Sequence, residues 1–280
     1  MLPVLFRIGP YAVGTHDVFV LLGVTVATLI FFYEARRRRM LNEQMLWIAI
    51  GALVTGAIAA KLSTAWEYIV LAPEPSLLGM IERGGKSILG GLAGAYVGAV
   101  VTKRIVGYRE PTGDLFAPAV ALGMAVGRWG CFLTEQIGTP TSLPWGIAVS
   151  PEVAAHIPNC PSCTSGVTMH PSFIYEIIFH ALMFGWLWHL RPRVYVKGEL
   201  LKIYLICYAL FRFAVEFVRG NLVVWGGLTR SQLFLIPSTL LLLWYFWRQW
   251  RSGVYQLPSL EPFARDDAQP QEEPWPIQST

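Results

Sequence analysis

Apolar runs bounded by charged or turn-forming residues cover positions 16–35, 45–66, 88–104, 115–133, 172–190, 199–219 and 232–249. About 20 mostly apolar residues suffice for a helix to cross the hydrocarbon core of a bilayer, so the pattern predicts seven transmembrane helices. In lipid a chain must satisfy its backbone polar groups internally, and the expected fold class is an all-α integral membrane protein. Residues 134–171 are too rich in proline and polar positions to cross, which leaves a long loop between the fourth and fifth helices; loops of that length are usually functional. No internal repeat is evident, so an inverted-repeat transporter has no positive support.

Composition agrees with this class. Hydrophobic residues make up 54% of the chain and charged residues 14%, with 11 tryptophans, a balance foreign to soluble domains. With the N-terminus outside, the inner segments hold Arg36, Arg37, Arg38, Arg39, Lys103, Arg104, Arg109, Arg191, Arg193, Lys197, Lys202, Arg248, Arg251 and Arg265. The outer segments hold only Arg7, Arg83, Lys86, Arg219 and Arg230. Because basic residues accumulate on the cytoplasmic side, the expected topology is N-terminus outside and C-terminus cytoplasmic. The net charge of +4 therefore reports topology, and no nucleic-acid partner is expected. Residues 1–13 lack a basic leader and are broken by Pro3 and Pro10, as suits an arm on the outer surface. The membrane domain is expected over 1–252. A disordered cytoplasmic tail is expected over 253–280, where proline, glutamine and acidic residues accumulate.

Arg128 and Arg212 change the picture, because an unpaired guanidinium inside an apolar span is costly and usually faces a partner or a site. In the sixth run Tyr208, Arg212, Glu216 and Arg219 are spaced four, four and three, which places them on one helix face. Arg128 and Arg212 both fall in the outer halves of outward-running helices, so their guanidiniums can meet at similar depth. Two converging guanidiniums suit a phosphate, which they bind in bidentate fashion, and the phosphate abundant at that depth is a lipid headgroup. Glu216 is expected to hold Arg212; the plainer alternative is an ion pair that only fixes packing. Gly84, Gly85, Gly90, Gly91, Gly94 and Gly98, with Gly123, Gly127 and Gly130, allow either close helix packing or room for a headgroup. His170, Tyr175 and Glu176 bring an imidazole, a phenol and a carboxylate to the start of the fifth helix, expected at the outer interface. His170 in that position is also a common cap.

The cysteines are few: Cys131, Cys160, Cys163 and Cys207. Cys160 and Cys163 lie on the expected outer side, an oxidising compartment, and predict a local disulfide. The alternative, a zinc site from His156, Cys160, Cys163 and His170, has ligand-like spacing, but no metal is expected.

Read together, GGKSILGGLAG (84–94), GRWGCFLTEQIGTPTSLPW (127–145), HPSFIYE (170–176), YALFRFAVEFVR (208–219) and LTRSQLFLIP (228–237) resemble, in order, the motifs of the prolipoprotein diacylglyceryl transferase family. With a weaker likeness in IGPYAVGTHDVFVLLG the resemblance covers most of residues 7–245. It implies a multi-pass enzyme of the bacterial inner membrane, without cofactor, that transfers the diacylglyceryl group of phosphatidylglycerol to the lipobox cysteine of a preprolipoprotein and releases glycerol 1-phosphate. It also implies catalytic roles for Arg128, Glu135, His170, Tyr208, Arg212 and Glu216. Lipid binding is expected of Arg128, Arg212, Arg219, Gly90, Gly91, Tyr175 and Glu176.

The chain departs from the family pattern at several positions. Leu89 stands where the family carries a histidine before paired glycines, Cys131 where many members have asparagine, and Thr139 where a basic residue is expected. Thr15, His16 and Asp17 replace an aromatic pattern. Thiol deprotonation then falls to another group, with Glu135 and His170 ahead of His16. A relative with another acceptor, or a non-catalytic lipid-binding or transport protein, is the alternative; order of motifs favours the enzyme.

Overall fold

A computed structural model describes residues 4–9, 11–71, 76, 79, 87–134, 138–148, 166–194 and 196–255. Among them are seven α-helices: α1 (Thr15–Arg37), α2 (Glu43–Leu71), α3 (Ile88–Ile105), α4 (Gly113–Thr134), α5 (Ser172–Leu190), α6 (Glu199–Val215) and α7 (Arg230–Arg251). Five of these are long and apolar enough to cross a membrane, namely Thr15–Arg37, Glu43–Ala65, Ile88–Ile105, Gly113–Thr134 and Ser172–Leu190. The other two runs also form helices. However, α6 has only 17 residues and contains Glu199, Lys202 and Arg212, and α7 begins with Arg-Ser-Gln and ends with two arginines among tryptophans. The molecule is therefore mostly helical with the character of a membrane protein.

Three short antiparallel strand pairs, not anticipated by the helical pattern, lie at one end of the bundle. They are β1 (Val4–Ile8) with β2 (Tyr11–Gly14) before α1, β3 (Ile147–Ala148) with β4 (Thr168–Met169) between α4 and α5, and β5 (Val223–Trp225) with β6 (Leu228–Thr229) before α7.

Small residues decide which helices touch. A Cβ added at Gly123 would lie 2.8 Å from both Ala27 Cβ and Gly23 O, and one at Gly130 would lie 2.9 Å from Phe19 Cβ, so α1 and α4 meet backbone to backbone. On the other side of the bundle, α3 is laid against α2 by Gly90, Gly94 and Gly98, where an added methyl would overlap Ser63, Ala59 and Thr55 respectively. Thr55 Oγ1 donates to Gly94 O at 2.9 Å across this contact. Small-residue seams of this kind replace the hydrophobic drive that lipid does not provide.

Away from the strand pairs, the opposite end is tied by charge. Glu34, fully buried at the end of α1, pairs with Arg37, Arg38 and Arg191, and Arg191 stacks on Trp188 at 3.5 Å. Asp114 at the start of α4 accepts from the backbone N–H groups of Gly198 and Leu200 at 2.9 and 3.1 Å. It thereby satisfies donors at the start of α6 that the helix itself leaves open. Gly198, with φ +87°, makes the turn into α6 in a conformation that costs glycine least.

Burial is inverted relative to a soluble protein. Leu21 and Leu182 are each 68% exposed and Leu241 66%, while Arg128, Glu176 and Glu216 are at most 3% exposed. Apolar side chains line the outside and the charges lie within, an arrangement stable only when the outside is lipid.

Candidate active site

Four buried charged residues, Arg128, Glu176, Arg212 and Glu216, lie near the end of the bundle that carries the strand pairs. Arg128 on the last turns of α4 forms an ion pair with Glu176 on α5. The other Glu176 oxygen holds Arg219 at 2.5 Å. Glu176 thus lies in the field of Arg128, Arg219 and Arg212 together. Phe173, one turn earlier on α5, packs its ring under both Arg219 and Arg128, with guanidinium carbons 4.5 and 5.8 Å from the centroid. Each contact adds cation–π attraction in a desolvated setting.

Arg212 on α6 pairs with Glu216 one turn later. The second Glu216 oxygen accepts from Asn221 Nδ2 and Thr229 Oγ1, both at 2.7 Å. Those two donors stand on either side of the β5–β6 hairpin, so the hairpin's feet are tied to the carboxylate that positions Arg212. Thr229 also opens α7: its backbone N–H donates to Gln232 Oε1 at 2.9 Å and its hydroxyl accepts from Gln232 N–H at 3.4 Å, a capping box.

Chain geometry explains why Arg219 reaches Glu176. The helix of the sixth run stops at Val215, and Glu216–Val218 form a 3₁₀ turn that Arg219 ends. Over three residues a 3₁₀ turn advances about 360° against about 300° in an α-helix, so Arg219 stands in eclipse over Glu216 and from there meets Glu176 on α5. The single polar stripe expected from the spacing is in fact two pairs, each with its own carboxylate.

Arg128 is not fully used by these partners. One terminal nitrogen lies 3.5 Å from Tyr208 Oη and the other 3.8 Å from Cys131 Sγ, a weak acceptor, while Nε is buried with no hydrogen-bond partner among the described residues. A buried donor left open is costly and marks where a further acceptor fits.

The described parts of the connection between α4 and α5 lie against this region. Thr139 N–H donates to Val218 O at 3.0 Å and His170 N–H to Thr139 O at 2.8 Å, while Gly138 fits between the His170 and Val218 carbonyls so tightly that no side chain would. Tyr175 Oη accepts from Trp145 Nε1 at 2.8 Å and lies 3.2 Å from His170 Nδ1. The imidazole and phenol therefore meet at the loop. Glu176, expected beside them at the interface, is instead fully buried, because the α5 register turns it inward onto Arg128.

The remaining expected residues are distributed as follows. Tyr208 is buried beside Arg128. The space where Gly90 would carry a side chain is occupied by Ser63 and Ala59 of α2, whereas a Cβ at Gly91 would stand 3.4 Å from Ala60 Cβ, an ordinary contact. His16 stands at the start of α1, 3.8 Å from Asp17, with its backbone against Gly130. Glu135, Cys160 and Cys163 lie outside the described residues, and among the described residues no cluster of metal-ligand type is present. One residue the sequence reading passed over is His180, fully buried on α5 one turn beyond Glu176, with Nδ1 3.1 Å from Tyr204 Oη. Its signal was available: an imidazole inside SFIYEIIFHALMFG, four residues from a carboxylate.

Fold and site together define a membrane-embedded helical protein whose buried guanidiniums are oriented by carboxylates near one end of the bundle. The chain belongs to the prolipoprotein diacylglyceryl transferase family, whose model matches residues 3–248. Among similar proteins, a phosphatidylglycerol--prolipoprotein diacylglyceryl transferase of Nostoc sp. is 30% identical over 94% of this chain and 94% of the relative. Proteins of the same name from Coxiella burnetii (strain Dugway 5J108-111) and Finegoldia magna are 29% and 32% identical, covering 88% and 78% of this chain and 95% and 82% of their own lengths.

Proposed function

We propose that this protein transfers the diacylglyceryl group of phosphatidylglycerol to the lipobox cysteine thiol of a preprolipoprotein and releases glycerol 1-phosphate. The observation that carries this reading is Arg128, buried and oriented by Glu176, with its Nε–H open among the described residues and the Cys131 thiol 3.8 Å from one terminal nitrogen. Family membership and the relatives' names support the same chemistry.

In this reaction the thiolate sulfur bonds to a glycerol carbon as the bond from that carbon to the phosphate oxygen breaks, and the electron pair leaves on the phosphate. Arg128 and Arg212 stabilise the departing charge, as preorganised donors do at low dielectric. Arg219 and Tyr208 complete the cradle, while Glu176 and Glu216 fix the guanidiniums so that their open edges need not reorganise. The thiol proton passes to a group near the outer loop, for which Glu135 and His170 are the candidates, since the thiolate is the competent nucleophile.

The site's end of the bundle is the outer one in this reading. All seven helices cross the bacterial inner membrane, with the N-terminus outside and the C-terminus cytoplasmic. The arginines and lysines gathered at the far end, from Arg36 through Arg251, support that orientation. Incubating the purified chain with phosphatidylglycerol labelled in both acyl chains and headgroup, plus a lipobox peptide, should yield labelled thioether peptide and free glycerol phosphate in equal amounts. Binding of the lipid without either product would replace the enzyme reading with a lipid-binding one.

A further inference from the structure

His180 has a nitrogen that the proposed reaction does not use. Among the described residues its Nδ1 lies 3.1 Å from Tyr204 Oη, the one hydrogen bond of that hydroxyl, and its Nε2 is buried without a partner. A neutral imidazole carries one ring hydrogen, and a phenol has one to give. If the imidazole donated through Nδ1, the Tyr204 hydrogen would be buried with no acceptor. Donation from Tyr204 to Nδ1 avoids this and puts the ring hydrogen on Nε2. The result is a buried N–H donor, held by Tyr204, with nothing to donate to.

Its depth is informative. α5 runs away from the arginine cluster, and His180 follows Glu176 by four residues, about 6 Å along a helix. Its ring lies 4.8 Å from that of Tyr208, whose hydroxyl meets Arg128, and beside it Phe179 stacks on Phe211 at 4.1 Å. A glycerophospholipid with its phosphate on Arg128 and Arg212 carries its ester carbonyls a short step deeper, where the headgroup gives way to the chains. An ester carbonyl is an acceptor without a hydrogen of its own and complements the lone N–H.

We infer that His180 is a substrate-binding residue whose Nε2–H donates to an ester carbonyl of the diacylglyceryl group, so that the site distinguishes ester-linked from ether-linked lipid. The inference rests on the lipid-phosphate reading of the arginine cluster. The bond that breaks in the proposed reaction is the same in diacyl and dialkyl phosphatidylglycerol, so any difference between them reads the carbonyl contact.

The test titrates the detergent-solubilised full chain with diacyl and with dialkyl phosphatidylglycerol, following the shift in thermal unfolding midpoint, and measures thioether formation in parallel. The wild type should bind the diacyl lipid roughly five- to tenfold more tightly, the value of one such hydrogen bond. His180→Phe should bind both lipids equally, at the dialkyl level. His180→Gln, which keeps an N–H donor, should retain part of the preference, and Tyr204→Phe, which releases the tautomer, should reduce it. Equal binding of both lipids by the wild type, or an unchanged preference in His180→Phe, overturns the inference; if that variant does not fold, an unchanged preference in Tyr204→Phe does so. A binding preference without thioether product would sink the transferase reading while supporting the carbonyl contact.

Discussion

Glu176 on α5 and Arg128 on α4 form an ion pair that is buried on all sides, and the same carboxylate holds Arg219 beyond α6. One side chain thus links three parts of the chain and sets the direction of two guanidiniums. Removing one member of a buried pair leaves the other uncompensated, which typically costs about 3–5 kcal/mol. Glu176→Gln should lower the thermal unfolding midpoint accordingly, with Glu176→Asp falling between it and the wild type. An unchanged midpoint in Glu176→Gln would show that the pair contributes nothing.

Helix contact through glycine makes a paired prediction. Gly123→Leu should separate α1 from α4, because even a Cβ would stand 2.8 Å from Gly23 O, and overpacking of this kind costs about 1–3 kcal/mol or more. Gly185→Ala, on α5 where a Cβ meets nothing within 4 Å, should be neutral or stabilising by about 0.5–1 kcal/mol. Thermal melts of the two variants in one detergent check both, and equal effects would contradict the packing described.

Much of this was legible in the sequence. Long apolar runs report helices directly, and the predicted limits of α1, α4 and α5 fall within two residues of those observed. The i,i+4 spacing also announced the Arg212–Glu216 pair, because partners on one helix are set by its pitch. Partners on different helices are not. Nothing in the spacing of HPSFIYE says that Glu176 turns inward to Arg128, that Glu34 gathers Arg37, Arg38 and Arg191, or that Asp114 caps α6. Each depends on which helices pack together, which the spacing along one helix does not specify. The end of α6 at Val215 was hidden as well, since the polar stripe continues smoothly through a change from α to 3₁₀ geometry.

Orientation is open to a direct check. A reporter fused after residue 250 should read as cytoplasmic, and one inserted near Ser165 as periplasmic. Finding both on one side would contradict seven crossings with the N-terminus outside.

Leu89 cannot accept a proton, so the thiol depends on another group. If Glu135 is that group, Glu135→Gln should slow the chemical step by about 100-fold or more and leave lipid binding largely intact; if the imidazole is the base, His170→Ala should do so. Single-turnover rates across pH separate the two. Wild-type rates in both variants would assign the proton elsewhere.

Buried guanidiniums, not merely positive charge, are proposed to stabilise the departing glycerol phosphate. A lysine ammonium is a point charge and cannot reproduce the planar fork. Single-turnover conversion of labelled phosphatidylglycerol to thioether peptide by Arg128→Lys and Arg212→Lys is the direct measurement. Each variant is expected to fold, bind lipid and lose about 100-fold or more in rate, the scale seen when a preorganised donor is removed. Wild-type rates in either variant would contradict this role.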